Sequence, residues 1–481
     1  MKTTLFQLFS AVVLMVPVCS CNDLLDTTSK TSLSSASVFD TPDRIEALVN
    51  GAYKSLKSAD LYSGRLLHCN DLRGEEFICL TENSLGGGYA WQQNLSSTTG
   101  EVNSIWSQAY RLINNANILI AGLSRSEGIL SDEAKKNYAG EAHFLRALAY
   151  FTLVTTYARP YTDGDGNNRG VPLRLLPEST SENNDLERSD VKIIYEQIIN
   201  DLDAAELYLP EQYATALQNT VRAHKNTAIA LKTRVYLSKH DFAGVREEAR
   251  KIVAQEQAPF SSVSGVQHQL QSNITEIFSS DYTTGESIFS MPMSAADPPS
   301  GSALATVYHS APNYALNHTA PGILTASEWT DTDARRSFVR EQAGLYYLTK
   351  FSKVSPAIDY IPVIRYAEVL LNYAEAEIRG GGAVSKAIAL LEAVRHRSDP
   401  GYHFPESQLT ADRLLHTIRI ERRIELLGEG FRSTDILRDL LTFPDKPSRS
   451  SYTSREVKPD DEGYVFPLPN SEILTNKLLL N

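Results

Sequence analysis

The side chains in this chain that are best placed to do chemistry are aromatic rings lying beside planar polar groups in two irregular stretches. A sugar presents flat C–H faces and dense hydroxyls, so its site needs exposed aromatic rings beside planar polar groups; a purely apolar lining would leave the hydroxyls unpaired. Two stretches offer that mixture. In the first, Tyr89 and Trp91 follow the turn Gly86-Gly-Gly88, with Asp71, Arg73, Asn83 and Gln92 close by in sequence. In the second, Tyr308, Asn313, Tyr314 and Asn317 lie in a segment poor in regular patterning. Trp91 heads the set, because a tryptophan in a glycine-rich loop has no helical face on which to be buried.

Catalytic signatures are missing. There is no Gly-x-Ser-x-Gly elbow, no His-Glu-x-x-His, no phosphate-cradling glycine loop and no Cys/His set at metal-ligand spacing. Asp163-Gly-Asp-Gly-Asn167 imitates the start of a calcium loop, but Asn168 stands where that loop needs glycine and Arg174 where it needs glutamate, so a plain acidic turn is expected. No segment signals the paired carboxylates of a glycosidase, whose separation is a three-dimensional quantity. The expectation is a binding protein with no enzymatic activity, no cofactor and no resident metal.

The 481 residues, 42% hydrophobic and 22% charged, are enough for one large core or several smaller ones. A formal net charge of −12, with no clustered Lys or Arg, argues against nucleic acid as a partner. The N-terminus has the form of a secretory signal: Lys2, an apolar run from Leu5 to Val18, then small residues before a cysteine. Val18-Cys-Ser-Cys21 looks like a lipobox with Cys21 as the acylated residue, since Val18 and Ser20 sit at the expected upstream positions. Residues 1–20 are then a signal peptide, and the Ser/Thr-rich residues 21–36 a tether that lets the folded body stand off a bilayer. Two or three acyl chains of the palmitate kind would anchor it stably. Cys69 and Cys79 remain as a pair that an exported protein could oxidise, although nothing in the sequence brings their Cα atoms within bonding distance.

The elements that must hold the candidate residues are mostly helical. Thr41-Pro42-Asp43 opens a helix to about Lys57, with proline in the first turn, where it loses no hydrogen bond. From Val102 to Leu123, Ile105, Ala109, Leu112, Ile113, Ala116 and Ile120 repeat every three to four residues, with Trp106 and Tyr110 read as core packing. Further helices are expected over Glu133–Tyr157, Ser189–Leu209, Thr227–Ser238 and Asp241–Ala254. Pairs joined by tight turns, with alanines where they approach, suggest a tetratricopeptide-like superhelix. Residues 61–100 and 255–360 read as irregular insertions carrying short β-like pieces such as Ser287-Ile-Phe-Ser-Met and Tyr346-Tyr-Leu-Thr-Lys-Phe. Loops on a rigid frame are where binding residues tend to sit.

One stretch breaks the rules for a surface helix. Projected at about 100° per residue, Leu414, Leu415, Ile418 and Leu426 form one apolar sector, and Arg422 and Glu425 fall inside it. A stranded buried charge is costly, so a fixed ion-pair network is expected, with Glu421, Glu429, Arg432 and Asp435 as partners. Gly428 and Gly430 should end the helix, and Ser433, Thr434 and Asp435 are candidate caps for the next. The pattern Arg422-Arg-Ile-Glu-Leu-Leu-Gly-Glu-Gly-Phe-Arg-Ser-Thr-Asp-Ile-Leu-Arg438 resembles the C-terminal signature of the SusD/RagB family of outer-membrane nutrient-binding lipoproteins. Glu141-Ala-His-Phe-Leu-Arg-Ala-Leu-Ala-Tyr, Gly170-Val-Pro-Leu, Ala228-Ile-Ala-Leu-Lys-Thr-Arg-Val-Tyr-Leu, the run from Pro362 to Glu377 and Phe466-Pro-Leu-Pro-Asn carry the resemblance along the whole chain.

The resemblance implies a mostly α fold: a tetratricopeptide-like scaffold, one SusD-like body over residues 37–481, and a loop-rich half with short β-strands that holds the ligand. It implies a glycan-binding lipoprotein of the outer membrane, facing outward, that delivers an oligosaccharide to a SusC-like TonB-dependent transporter. Asp23 and Asp26 resemble the surface-export signal of such lipoproteins. A RagB-like peptide binder, or a helical-repeat adaptor outside transport, are the alternatives. The family implies aromatic stacking of glycans without fixed positions, so the candidate residues rest on local chemistry. Trp329, next to Asp331-Thr-Asp-Ala-Arg335, which resembles a structural Asp-x-Arg element, is assigned to packing.

Overall fold

The computed structural model describes residues 38–83, 86–279, 282–299, 302–310 and 312–480; the signal segment, Cys21 and the tether lie outside the described residues. Helix α1 (Pro42–Leu56) opens as expected, with Thr41 Oγ1 accepting the Arg44 amide and Pro42 in the first turn. The next segment departs from expectation. Residues 61–100, read as irregular, contain a second helix, α2 (Arg65–Arg73), and eight of its nine residues, Leu66 to Arg73, are buried. A helix covered on all sides has no polar face, so it leaves no amphipathic period in the sequence.

The periodic segments form α3 (Gly100–Gly122), α4 (Asp132–Tyr157), α5 (Val191–Tyr208), α6 (Lys225–Lys239) and α7 (Phe242–Ile252). After the loop-rich middle come α8 (Tyr366–Arg379), α9 (Val384–Ser398), α10 (Ala411–Glu425) and α11 (Arg432–Arg438). From α3 to α8 each of these helices packs on the next, and α8 also packs on α9 and α10. The result is a mostly helical, tetratricopeptide-like scaffold with short strands. Trp106 and Tyr110 pack within it as a tilted pair, ring centroids 5.0 Å apart.

Besides a short antiparallel pair, Arg169–Pro172 with Arg188–Asp190, the strands are β1 (Phe77–Cys79), β2 (Ser287–Met291), β3 (Tyr314–Leu316), β4 (Val339–Gln342), β5 (Leu345–Leu348) and β6 (Ile361–Arg365). All pair antiparallel: β1 with β3, β2 with β6, and β4 with β5. Ala343 and Gly344 close the β4–β5 hairpin with positive φ at both positions, the backbone that a two-residue hairpin turn needs. Cys69 and Cys79 are both buried and free; Cys79 Sγ donates to the Thr81 carbonyl at 3.2 Å.

The charged C-terminal stretch is a clamp, with partners mostly different from those adjacent in sequence. Arg422 pairs with Asp435 at 2.8 Å and donates to Asn372. Glu425 instead accepts from Arg335, Arg365 and Arg397 at 2.6–2.9 Å. Glu421 takes Arg335 and Arg395, Glu429 takes Lys350 and Arg365, Glu286 takes Arg365 and Arg397, and Asp333 takes Arg335 and Arg395. Five cations thus meet five carboxylates, and every one of these side chains is 3% exposed or less. Gly428 and Gly430 turn the chain with φ of +79° and +86°. The next helix begins at Arg432, so Ser433, Thr434 and Asp435 lie in its first turn rather than at its cap; Phe431 occupies the cap position and makes no side-chain cap bond.

Burial alone would push Glu425 upward, but Arg397, Arg365 and Arg335 hold its carboxyl well below the ordinary 4.5. A depressed carboxylate contributes stability above its unfolded pKa and loses it as pH falls through the folded one. Glu425→Gln leaves five cations facing four carboxylates, and breaking a buried pair in this way costs about 3–5 kcal/mol. At pH 7 urea unfolding should show that loss, and the gap to the parent should narrow as pH falls below about 4.5.

Candidate functional site

The glycine turn of residues 86–88 lies on the loop-rich half, between α2 below and the C-terminal segment around Tyr452. Gly87 has φ +89°, and a Cβ there would meet Leu72 Cδ1 at 2.8 Å and His68 at 3.0 Å. A Cβ on Gly88 would meet Tyr452 Cε2 at 2.8 Å. Only a glycine backbone passes between these groups. The turn leads into one helical turn, Gly88–Trp91. Two positions apart on a helix project about 200° from each other, so Tyr89 and Trp91 face opposite ways.

Tyr89 faces solvent, 38% exposed, and Trp91 is fully buried. The expectation of Trp91 as a stacking platform is therefore corrected: its Nε1 donates to the Phe77 carbonyl at 2.9 Å, and Lys446 lies over its ring. Five other expected contacts also turn inward. Asp71 caps the glycine corner, accepting from the Gly430 amide at 2.8 Å and the Arg432 amide at 3.4 Å. Burial raises its carboxyl to about 7, against the pull of those two amides. Arg73 donates to Gln93 and to the carbonyls of Gly463 and Tyr464 while lying 4.0 Å from the Phe443 ring centroid; burial lowers it to about 9. Tyr308 stacks on Phe77 at 4.8 Å. Tyr314 donates to the Gly86 carbonyl at 3.0 Å, holding the turn from beneath. Asn317 donates to the Glu75 carbonyl at 2.9 Å and accepts from Thr319.

What reaches the surface is a smaller set. Asn83, half-buried, accepts the Gly86 amide at 3.1 Å. Asn313, also half-buried, accepts from Thr81 Oγ1 at 2.7 Å, and a Cβ on Gly86 would meet its amide nitrogen at 2.9 Å. The half-buried Tyr452 completes the group. Tyr452 was not among the expected residues; it comes from a C-terminal loop with no pattern to distinguish it. Tyr89, Tyr452, Asn83 and Asn313 thus surround one turn: two rings beside two planar amides. The acidic turn at Asp163 is occupied by its own chain, with Asp163 paired to Arg159 at 2.6 Å and accepting from Asn168. Among the described residues no group of three or more His, Cys, Asp or Glu could hold a metal.

The helical-repeat scaffold with its loop-rich half is that of the SusD family, and the chain belongs to it. A family model described as "Starch-binding associating with outer membrane" matches residues 23–237, and one described as "SusD family" matches residues 305–481. The crystal structure of a SusD superfamily protein from Bacteroides fragilis is similar at 30% identity and a TM-score of 0.83, over 92% of this chain and 100% of that one. SusD-like protein P2 of Formosa agariphila is 26% identical over 98% of this chain and 97% of its own length. A laminarin-binding SusD-like protein shares the fold at 22% identity and a TM-score of 0.67, over 91% of this chain and 98% of that one. Proteins of this family associate with the outer membrane. Among the described residues no helix is long and apolar enough to cross a membrane.

The inward and outward faces of the turn separate in a stability measurement. Trp91→Ala empties a filled core position and should cost about 3–5 kcal/mol in urea unfolding. Tyr89→Ala, made at an exposed position, should stay within about 0.5 kcal/mol of the parent.

Proposed function

We propose that the chain is a glycan-binding lipoprotein of the cell surface that takes up an oligosaccharide at the Gly86–Gly88 turn and passes it to a SusC-like TonB-dependent transporter. The observation that carries this reading is the pairing of Tyr89 and Tyr452 with Asn83 and Asn313 around one rigid turn. The rings offer faces for sugar C–H groups and the amides offer both donors and acceptors for hydroxyls. The laminarin bound by a protein of the same fold supports a glycan as ligand. Half-buried amides and only partly exposed rings suit moderate affinity with fast release, as hand-over to a transporter requires. The lipobox at Cys21 supports an acyl anchor, with residues 1–20 as the signal, 21–36 as the tether and 37–481 as the body.

Calorimetric titration of the form lacking residues 1–21 against a panel of glycans and peptides tests the ligand class. A neutral oligosaccharide should bind saturably, and Tyr89→Ala should weaken it about tenfold, which is about 1.4 kcal/mol. Saturable binding of peptides with none of glycans would sink this reading in favour of a RagB-like peptide binder. Cys21→Ala should release the full-length protein from the membrane fraction; retention there would refute the acyl anchor.

A further inference from the structure

Beyond the opposite end of β3 from the glycine turn lies an open groove of about 500 Å³, lined by His318, Leu324, Asp331, Arg336, Glu341 and Tyr346 among others. Its volume is that of a small-ligand site. Arg336 is the unusual member. Its guanidinium lies 4.4 Å from the ring centroid of Trp329, which is 2% exposed. Nη2 donates to the Trp329 carbonyl and Nε to the Thr330 carbonyl. The side chain is half-buried and fixed in place, and among the described residues it makes no ion pair. Its neighbour Arg335 is held by Asp333, Glu421 and Glu425. Carbonyl dipoles orient the guanidinium, and Asp331 and Asp333 act on it only through space, so no carboxylate closes on its fork and one from outside the chain would complete it. Tyr346, half-buried, stands beside the His318 ring at 5.7 Å and offers an aromatic face in the same groove.

We propose that this groove binds a sugar residue bearing a carboxylate, with Arg336 pairing the acid, Tyr346 stacking the ring, and Asp331 and Glu341 accepting hydroxyls. A carboxylate is planar and matches the guanidinium fork. Asp331 and Glu341 are both exposed, and the buried Asp333 is already taken by Arg335 and Arg395, so these carboxylates act on Arg336 at most through space, whereas an anion docked on the guanidinium would bond to it directly. A single planar carboxylate on a hydroxyl-bearing ring, as in a uronic acid, meets the guanidinium fork, the Tyr346 face and the two acceptors together, whereas phosphate, tetrahedral and without a ring, meets only the guanidinium. Asn313 at the glycine turn and His318 in the groove are five residues apart along extended chain, roughly 17 Å at most, so an oligosaccharide of a few residues reaches both. That the acid is carried by a saccharide rests on the function proposed above; that Arg336 selects an anion does not.

The test uses the mature chain and oligosaccharides of galacturonate, mannuronate and glucuronate, each as the free acid and as its methyl ester, with inorganic phosphate as competitor. At least one acid should bind about tenfold more tightly than its ester, with the preference shrinking as salt is raised. Arg336→Gln should abolish the preference. Arg336→Lys should keep part of it, because lysine retains the charge without the planar fork, and thermal unfolding of both variants reports whether the fold is kept. Tyr89→Ala should weaken acid and ester alike and leave their ratio intact. Equal affinity for acid and ester on every backbone, no saturable binding of any of the three acids, a preference that survives Arg336→Gln in folded protein, or displacement by millimolar phosphate would each overturn the proposal. Ester binding that Tyr89→Ala leaves untouched would sink the reading of the turn while leaving the groove standing.

Discussion

Glu425 accepting three arginines inside a protein core is the interaction on which the other features depend. Its partners come from three places: Arg335 precedes the β4–β5 hairpin, Arg365 ends β6 and Arg397 ends α9. A buried carboxylate with three guanidiniums would be a liability alone. It is compensated because those arginines also bind Glu286, Asp333, Glu421 and Glu429, so that the group is neutral as a whole. Ion pairs in a dry interior are geometrically exacting, because each lost contact exposes a desolvated charge. The network therefore fixes where the loop-rich middle of the chain sits against α9 and α10, more tightly than apolar packing of the same elements would.

The glycine turn inherits its position from this frame through two further links. Asp71 on α2 caps the corner at Gly430 and Arg432, immediately after the clamp residue Glu429. Arg432 and Arg423 in turn pair with Glu75, just past the end of α2. On the other side, Tyr314 of β3 holds the Gly86 carbonyl and Trp91 holds the Phe77 carbonyl of β1. The backbone of the turn is thus supported from both of the irregular segments. For the proposed function this means that Tyr89 presents its ring from a support already ordered before ligand arrives, which would lower the entropic cost of binding.

The sequence shows the scaffold more plainly than the site, for a physical reason. Helices such as α3 and α4 are half-covered, so their apolar residues recur with the helical period and can be read directly. Helix α2 is covered everywhere, and its charged residues serve as caps and clamps, which in sequence look like loop polarity. The same ambiguity misplaced Asp71, Arg73, Tyr308, Tyr314 and Asn317: polar and aromatic residues in an irregular segment can be ligand contacts, or they can be what makes an irregular segment rigid. Trp91 failed on a finer point, because one helical turn after a glycine run is enough to bury it. Tyr452 lies more than 130 residues from Asn313 in the chain, and only the fold brings it to the turn.

Arg335 and Arg336 show in two adjacent residues how the loop-rich half divides its charges. They share one short 3₁₀ turn, Ala334–Phe338, so successive side chains point about 120° apart. Arg335 points into the core, and its partners are three carboxylates. Arg336 points to the groove and is held by an indole face and two carbonyls, which restrain its position without neutralising it. A half-buried guanidinium that feels Asp331 and Asp333 only through space, with no carboxylate on its fork, carries a desolvation cost that a direct ion pair would offset. Here the neighbouring segment has carboxylates to spare in Asp331 and Glu341, yet neither is in contact with it. Restraint without neutralisation is what pre-organisation for an external anion requires, and the frame that supplies the restraint is the one anchored at Glu425.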